Sequence, residues 1–312
     1  MKIILVAPKS ISAHKHSPEE PFRFDYAFWN FYMPLCSLGH DVTFFDSSKH
    51  GDEQLKKVIE IQKPDLLFCI MTGAPHFCPK EPWDAIKQET DSGRTKTFNW
   101  FCDDAWRFDD FSSKYCWYFN CAVTTDDILD VDKYKKIGYD NAIYATWHAN
   151  ADVYSGLSSA KDSDVAFVGN LTGDRKEIFD LLKNRNLDVN HFSKVSFEDM
   201  VWNYSKSKIG LNLSKNSNDK DGKLILKARP FEITGVGSML LTQDAVGLSE
   251  CYKNESEIIV FNEIDELVSK CNFLTRNPRI AEKIAINGHK RFLKDHESRV
   301  RLSQLLEKIK RI

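Results

Sequence analysis

The segment Lys227-Ala228-Arg229-Pro230-Phe231-Glu232 sets a guanidinium and a carboxylate three residues apart, around a proline that marks a helix start. Proline suits a first helical turn, where its missing N–H is no loss, and Gly235 and Gly237 stand where such a helix would end after about two turns. At that start the unpaired N–H groups and the helix dipole favour an anion. Arg229, with Lys227 beside it, offers donors to phosphate oxygens, and Glu232 can accept two hydrogen bonds from a ribose. The combination suits a nucleoside diphosphate.

A second segment, Gly169-Asn170-Leu171-Thr172-Gly173-Asp174-Arg175, follows an apolar run and enters a helical one. Its two glycines permit close backbone approach to a phosphate, although the full dinucleotide fingerprint is missing. Arg175 lies one turn into the helix, where it can reach a diphosphate or pair with Glu177 or Asp180.

The third feature is Asp103-Asp104, directly after the apolar run 97–101. A carboxylate at the carboxyl end of a strand can serve as a general base after modest desolvation. Either aspartate can instead cap the next turn or pair with Arg107. Phe22 and Trp106, in loops, are placed to stack on a sugar or base of an acceptor. His148 stands before an interdomain connection and either approaches a ligand from the hinge or serves there as a polar hinge residue. The spacing of His14, His16, His76 and Cys78 matches no familiar metal cage, so no metal is expected.

Apolar runs of strand length alternate with helical segments, the pattern of parallel sheets covered by helices. Strands are expected at 2–6, 41–45, 65–70, 97–101, 121–124 and 142–145, with helices at 25–38, 52–62, 82–90, 109–118 and 126–136, the last capped by Asp126. The segment 147–162 loses this periodicity and reads as a connection. Beyond it, strands are expected at 164–169, 208–213, 238–242 and 257–261, with helices at 174–183, 230–234 and 266–274 and a long closing helix from Asn277-Pro278 that runs, with a break, to Ile312. Two tandem Rossmann-like domains follow, 1–150 and 151–312, with ligands expected in a cleft at the carboxyl ends of the strands.

Composition agrees. At 312 residues the chain has room for two ordinary domains. Its net charge of −2 divides into 17 basic and 22 acidic residues up to position 150, against 26 and 23 after it. That suits a phosphate-binding second half and supplies no overall basic field for nucleic acid. Eight cysteines without a CxxC pair read as reduced thiols. No apolar run approaches the ~18 residues of a membrane span, and Met1 leads straight into the first strand, so a cytoplasmic protein without membrane contact is expected.

Residues 164–170 with Arg175, the Arg229-Pro230-Phe231-Glu232 segment, the strand reached at 237–242 and the ending from Asn277-Pro278 through Gly288 to Phe292 resemble the C-terminal domain of GT-B glycosyltransferases of the CgeB-like, spore-maturation type. The likeness covers 164–300 well and the first half more loosely. The glycine-bearing loop with Arg175, Arg229 and Glu232 is also similar to the T-even phage DNA β-glucosyltransferases, where the matching residues bind the diphosphate and ribose of UDP. In that family a strand ends in an aromatic, a small residue and an aspartate that is the catalytic base, as Phe101-Cys102-Asp103 does here.

The resemblance implies a GT-B fold with the C-terminal helix closing the pair of domains. It also implies sugar transfer from a nucleoside-diphosphate sugar, a UDP-sugar first, to a hydroxyl. Gly169, Asn170, Arg175, Lys227, Arg229 and Glu232 would hold the donor, with no cofactor needed because helix dipole and arginines replace a cation at the leaving diphosphate. Asp103, or Asp104, would be the base. A 5-hydroxymethylpyrimidine in phage DNA leads among acceptors, which would place the enzyme in a host cytoplasm; a glycan, protein or small molecule is the alternative. An epimerase or a non-catalytic nucleotide-sugar-binding protein is the reading from other classes. Two departures, no glycine pair in Ala7-Pro8-Lys9-Ser10 and Leu224 where retaining relatives carry the first of paired glutamates, lean toward inversion.

Overall fold

The computed structural model describes residues 1–10, 25–74, 78, 80–156, 160–215 and 222–312. Two compact units emerge, Met1–Thr146 with Arg301–Ile312, and Trp147–Val300. Each is an α/β domain around one wholly parallel sheet.

The first sheet runs β2-β1-β3-β4-β5-β6. Its strands are β1 Lys2–Ala7, β2 Asp41–Asp46, β3 Leu66–Cys69, β4 Lys96–Phe101, β5 Cys121–Thr124 and β6 Ala142–Tyr144. The second runs β11-β10-β9-β7-β8, from β7 Ser163–Val168, β8 Val189–Phe192, β9 Ser207–Asn212, β10 Met239–Gln243 and β11 Ile259–Phe261. The inner strands are largely apolar through their middles because both sheet faces are covered. In the first domain Leu5, Phe68 and Phe98 pack on one face and Val6, Leu67 and Phe101 on the other. Phe167 and Leu241 against Ala166 and Leu240 repeat the scheme in the second.

In both sheets the chain reverses its direction of winding beside the domain's first strand, at β1/β3 and at β7/β9. At such a switch point the loops leaving adjacent strands diverge to opposite faces and open a crevice at the carboxyl edge. The loops after β7 and β9 are those of Gly169 and Ser214.

Several elements differ from the sequence expectation. The helix expected at 109–118 starts at Asp104, and Asp104–Arg107 passes through a widened turn, Phe108–Ser112, into two further short turns. Asp126 does not cap the helix after β5: Asp127 does, accepting from Leu129 N at 2.9 Å, while Asp126 is buried and accepts from Ala105 N at 3.1 Å. Strand β8 and the helix Phe197–Lys206, capped by Ser196 onto Asp199 N at 3.0 Å, lie where no element was expected.

The closing helix breaks at Glu297, whose backbone turns extended, and Ser298–Lys310 continues beyond it. The expected boundary left all of 151–312 together, yet Leu302, Leu305, Leu306 and Ile309 pack into the first domain's core with Leu35 and Phe98. The chain therefore crosses between domains twice. On the second domain's side the two crossings are bonded together, Ser298 N donating to Ala149 O at 2.9 Å and His148 Nδ1 lying 2.8 Å from Ser298 Oγ. His148 is buried there.

Deleting a buried leucine side chain typically costs about 2–5 kcal/mol. Leu306→Ala should therefore lower hydrogen-exchange protection across β1–β6 and leave β7–β11 nearly unchanged; the reverse pattern would show that the final helix belongs energetically to the second domain.

Candidate functional site

The carboxyl edge of β7 and β9 gathers both arginines singled out in the sequence. The guanidinium of Arg229 sits over the Phe167 ring at 4.8 Å from its centroid, and that of Arg175 lies 5.7 Å from the same ring. Arg229 Nε donates to Val168 O at 3.0 Å and its Nη1 to Asn212 Oδ1 at 3.1 Å. Arg175 donates to the carbonyls of Asn170 and Lys215, both at 3.0 Å, and more weakly to Leu213 O at 3.5 Å. All these partners are neutral oxygens. Burial, and next the charge of Arg229, hold Arg175 below the usual guanidinium value. Asp174 and Glu232 are carboxylates whose charge acts on Arg175 and Arg229, and two guanidinium forks suit a ligand with more than one phosphate.

Glycine is required at position 169. Its φ is +153°, and a Cβ there would come within 2.7 Å of Arg229 Nη2. The loop and the arginine thus share a space that admits no side chain, and His191 Nε2, 2.7 Å from Gly169 O, anchors the loop from β8. Asn170 is exposed at the loop's tip, and its carbonyl accepts from Arg175.

Arg229–Val236 form the expected short helix, with Gly237 closing it at φ +80°. Glu232 is half-buried within one turn of Arg229. Burial raises its carboxyl pKa, against the opposing effects of Arg229 and of a 3.1 Å hydrogen bond from the Tyr154 hydroxyl. Lys227 is half-buried just ahead of the helix. Among the residues the sequence reading missed, Asn212 and Tyr154 matter most. Asn212 also donates to Thr242 Oγ1 at 2.9 Å, which orients its carbonyl oxygen toward Arg229. An asparagine inside the apolar run 208–213 was the available signal. Nothing in the sequence linked Tyr154 to Glu232, 78 positions away.

In the first domain Asp103 and Asp104 separate sharply. Asp104 is wholly buried, its carboxylate accepting from Tyr134 Oη at 2.7 Å and from Ser112 Oγ, and burial pushes its pKa up to about 6. Such a carboxylate is committed to the interior. Asp103 is half-buried at the carboxyl end of β4 in a left-handed conformation, φ 71°, ψ 24°. Trp106, at 37% exposure, and Arg107 follow within one turn, the guanidinium 5.7 Å from the indole centroid and 4.4 Å from that of Phe111. Arg107 donates to Thr72 O, on the loop after β3. Phe22, His14, His16 and His76 lie outside the described residues.

A family model described as glycosyl transferase-like matches residues 155–307. No curated protein matches the chain. Among solved structures, sucrose-phosphate synthase from Thermosynechococcus elongatus is 10% identical at a TM-score of 0.62, over 99% of each chain. A glycosyltransferase from Rickettsia africae is 12% identical at 0.61, over 99% of this chain and 98% of that one. The Anabaena protein HepE, solved in complex with UDP-glucose, is 11% identical at 0.62, over 100% of both. At such identities the shared property is the fold. This chain, with one parallel Rossmann-like sheet of six strands and one of five, has the GT-B fold, and its second domain matches a glycosyl transferase-like family.

Proposed function

We propose that this protein is a glycosyltransferase that takes a sugar from a nucleoside diphosphate, UDP first among the candidates, and transfers it to a hydroxyl. The observation that carries this is the pair of guanidinium groups on Phe167 at the switch point of the second sheet, both donating to carbonyl and amide oxygens. Solved proteins of the same fold, among them HepE, are described with UDP and UDP-glucose bound. In this proposal Arg229, Arg175, Lys227 and the Gly169–Asn170 loop bind the diphosphate, and Glu232 accepts from the ribose hydroxyls. As charge develops on the departing diphosphate, the fixed guanidinium groups stabilise it without reorganising.

Asp103 is the proposed base. Inverting transfer needs a carboxylate to take the acceptor's hydroxyl proton as the new bond forms, and Asp103 is the member of the acidic pair not sequestered in the core. Trp106, exposed beside it, offers an apolar face to an acceptor; Phe22 remains a second proposed contact from the sequence. The domain ending at residue 146 would hold the acceptor and the domain from 147 the donor.

For the acceptor, the surface near Asp103 favours one class. Asp109 and Asp110 are exposed on the segment after Trp106, and a polyanion approaching Asp103 would meet their charge. We therefore place the acceptor of the CgeB-like reading, a glycan, protein or small-molecule hydroxyl, ahead of that of the phage-type reading, 5-hydroxymethylpyrimidine in DNA. A gel shift with hydroxymethylcytosine duplex at two salt concentrations separates these: weak, salt-insensitive retention is expected, whereas tight binding that falls steeply with salt would restore DNA as the acceptor.

Arg229→Ala should weaken UDP binding by about 10–100-fold, the loss of charge-assisted hydrogen bonds, measured by titration calorimetry; unaltered affinity would remove the diphosphate assignment. Glu232→Ala should raise the donor KM with a smaller effect on kcat. For Asp103→Asn, transfer should fall by roughly 10²-fold or more while UDP binding is retained. Turnover equal to the parent's would rule out Asp103 as base. UDP release from UDP-glucose only when an acceptor pool is added distinguishes transfer from epimerisation.

A further inference from the structure

The backbone at Asp103 is unusual for a residue with a side chain, since the left-handed region disfavours a Cβ and persists where neighbouring groups over-determine it. Here the restraints can be named. Before it, Phe101 is fully buried in the core. After it, the Asp104 carboxylate accepts from the hydroxyls of Ser112 and Tyr134, and the Asp104 carbonyl accepts from Lys133 Nζ at 2.9 Å. Ala105 N is held by Asp126 Oδ2 at 3.1 Å, and Asp103 O accepts from Trp106 N and Arg107 N at 3.1 and 2.9 Å. Phe108, with its ring 4.9 Å from that of Tyr134, fills the space beneath.

A buried carboxylate is a costly way to hold a turn if a turn is all that is needed. An apolar side chain of similar size would fill the same volume without desolvating a charge, and burial does push Asp104 up to about 6. What the carboxylate adds is direction: two hydroxyl donors on different elements, Ser112 at the end of the widened turn and Tyr134 on the helix Val131–Lys136, fix both of its oxygens.

We propose that Asp104 is a positioning residue which, through Ser112 and Tyr134, holds Asp103 in its left-handed conformation and thereby sets the rate of proton removal from the acceptor. The proposal rests on Asp103 being the base. Asp104 itself touches no substrate; it acts through its neighbour.

A double-mutant cycle on the full-length protein tests this, read as UDP release from UDP-glucose in the presence of the acceptor pool. Tyr134→Phe keeps the ring and removes one donor to Asp104. It should lower kcat by about tenfold or more while the KM for UDP-glucose stays within about twofold. In an Asp103→Asn background the same substitution should cost nothing further, because the group it positions is gone. Ser112→Ala should repeat both results, and thermal melting of each variant shows whether it is folded. An equal loss in both backgrounds, a loss confined to KM, or undiminished kcat in both folded variants overturns the positioning role. Asp103→Asn retaining parental kcat would instead overturn the base assignment beneath it.

Discussion

Two guanidinium groups against one aromatic ring form the interaction on which the second domain's candidate site depends. Like charges brought this close repel, and a fold that wanted only stability would set a carboxylate between them. Here the fork of Arg229 is spread between Val168 O and Asn212 Oδ1, and Arg175 reaches the carbonyls of Asn170 and Lys215. Neutral acceptors fix geometry without cancelling charge, so the attraction for an anion survives. The requirement spreads outward: Gly169 must lack a side chain because Arg229 occupies that space, Asn212 must be turned by Thr242, and Phe167 must be held by the core it helps to form.

The first domain solves a complementary problem. The proposed base, Asp103, must be both reachable and held in place, and it stands half-buried at the end of β4 while its neighbour takes the buried position. Adjacent aspartates of identical chemistry differ here only in environment: one carboxylate sits among hydroxyls with its pKa raised, the other stands half-buried at the end of β4. Each domain thus sets its proposed functional group where the sheet ends, on a short loop whose flanks are packed into the core.

Much of this was legible in advance. Alternation of apolar runs and helical segments indicated parallel sheets, and a proline and a glycine bracketed the short helix that bears Arg229 and Glu232. The expectation went astray where local signals compete. Around Asp104 an acidic residue at a strand end looks like any helix cap, yet packing draws it inside and starts the helix early. Strand β8 is four residues long with polar positions, too brief for periodicity to register. The closing helix has its expected break, at Glu297, but its last turns pack with the first domain, since four apolar side chains at helical spacing do not say which core they enter.

The sequence by itself determined the residue types and their local frames: Arg229 and Glu232 within one helical turn, Gly169 after a buried strand, and an aspartate pair at another strand's end. These follow from short-range physics, the helical repeat, the steric freedom of glycine and the missing N–H of proline. Only the tertiary structure decided which groups meet. That Arg229 joins Arg175 on Phe167, that Tyr154 reaches Glu232 and that Tyr134 claims Asp104 are contacts between residues 30 or more positions apart. Such contacts are set by how sheets and helices pack, and packing depends on the whole set of buried side chains at once.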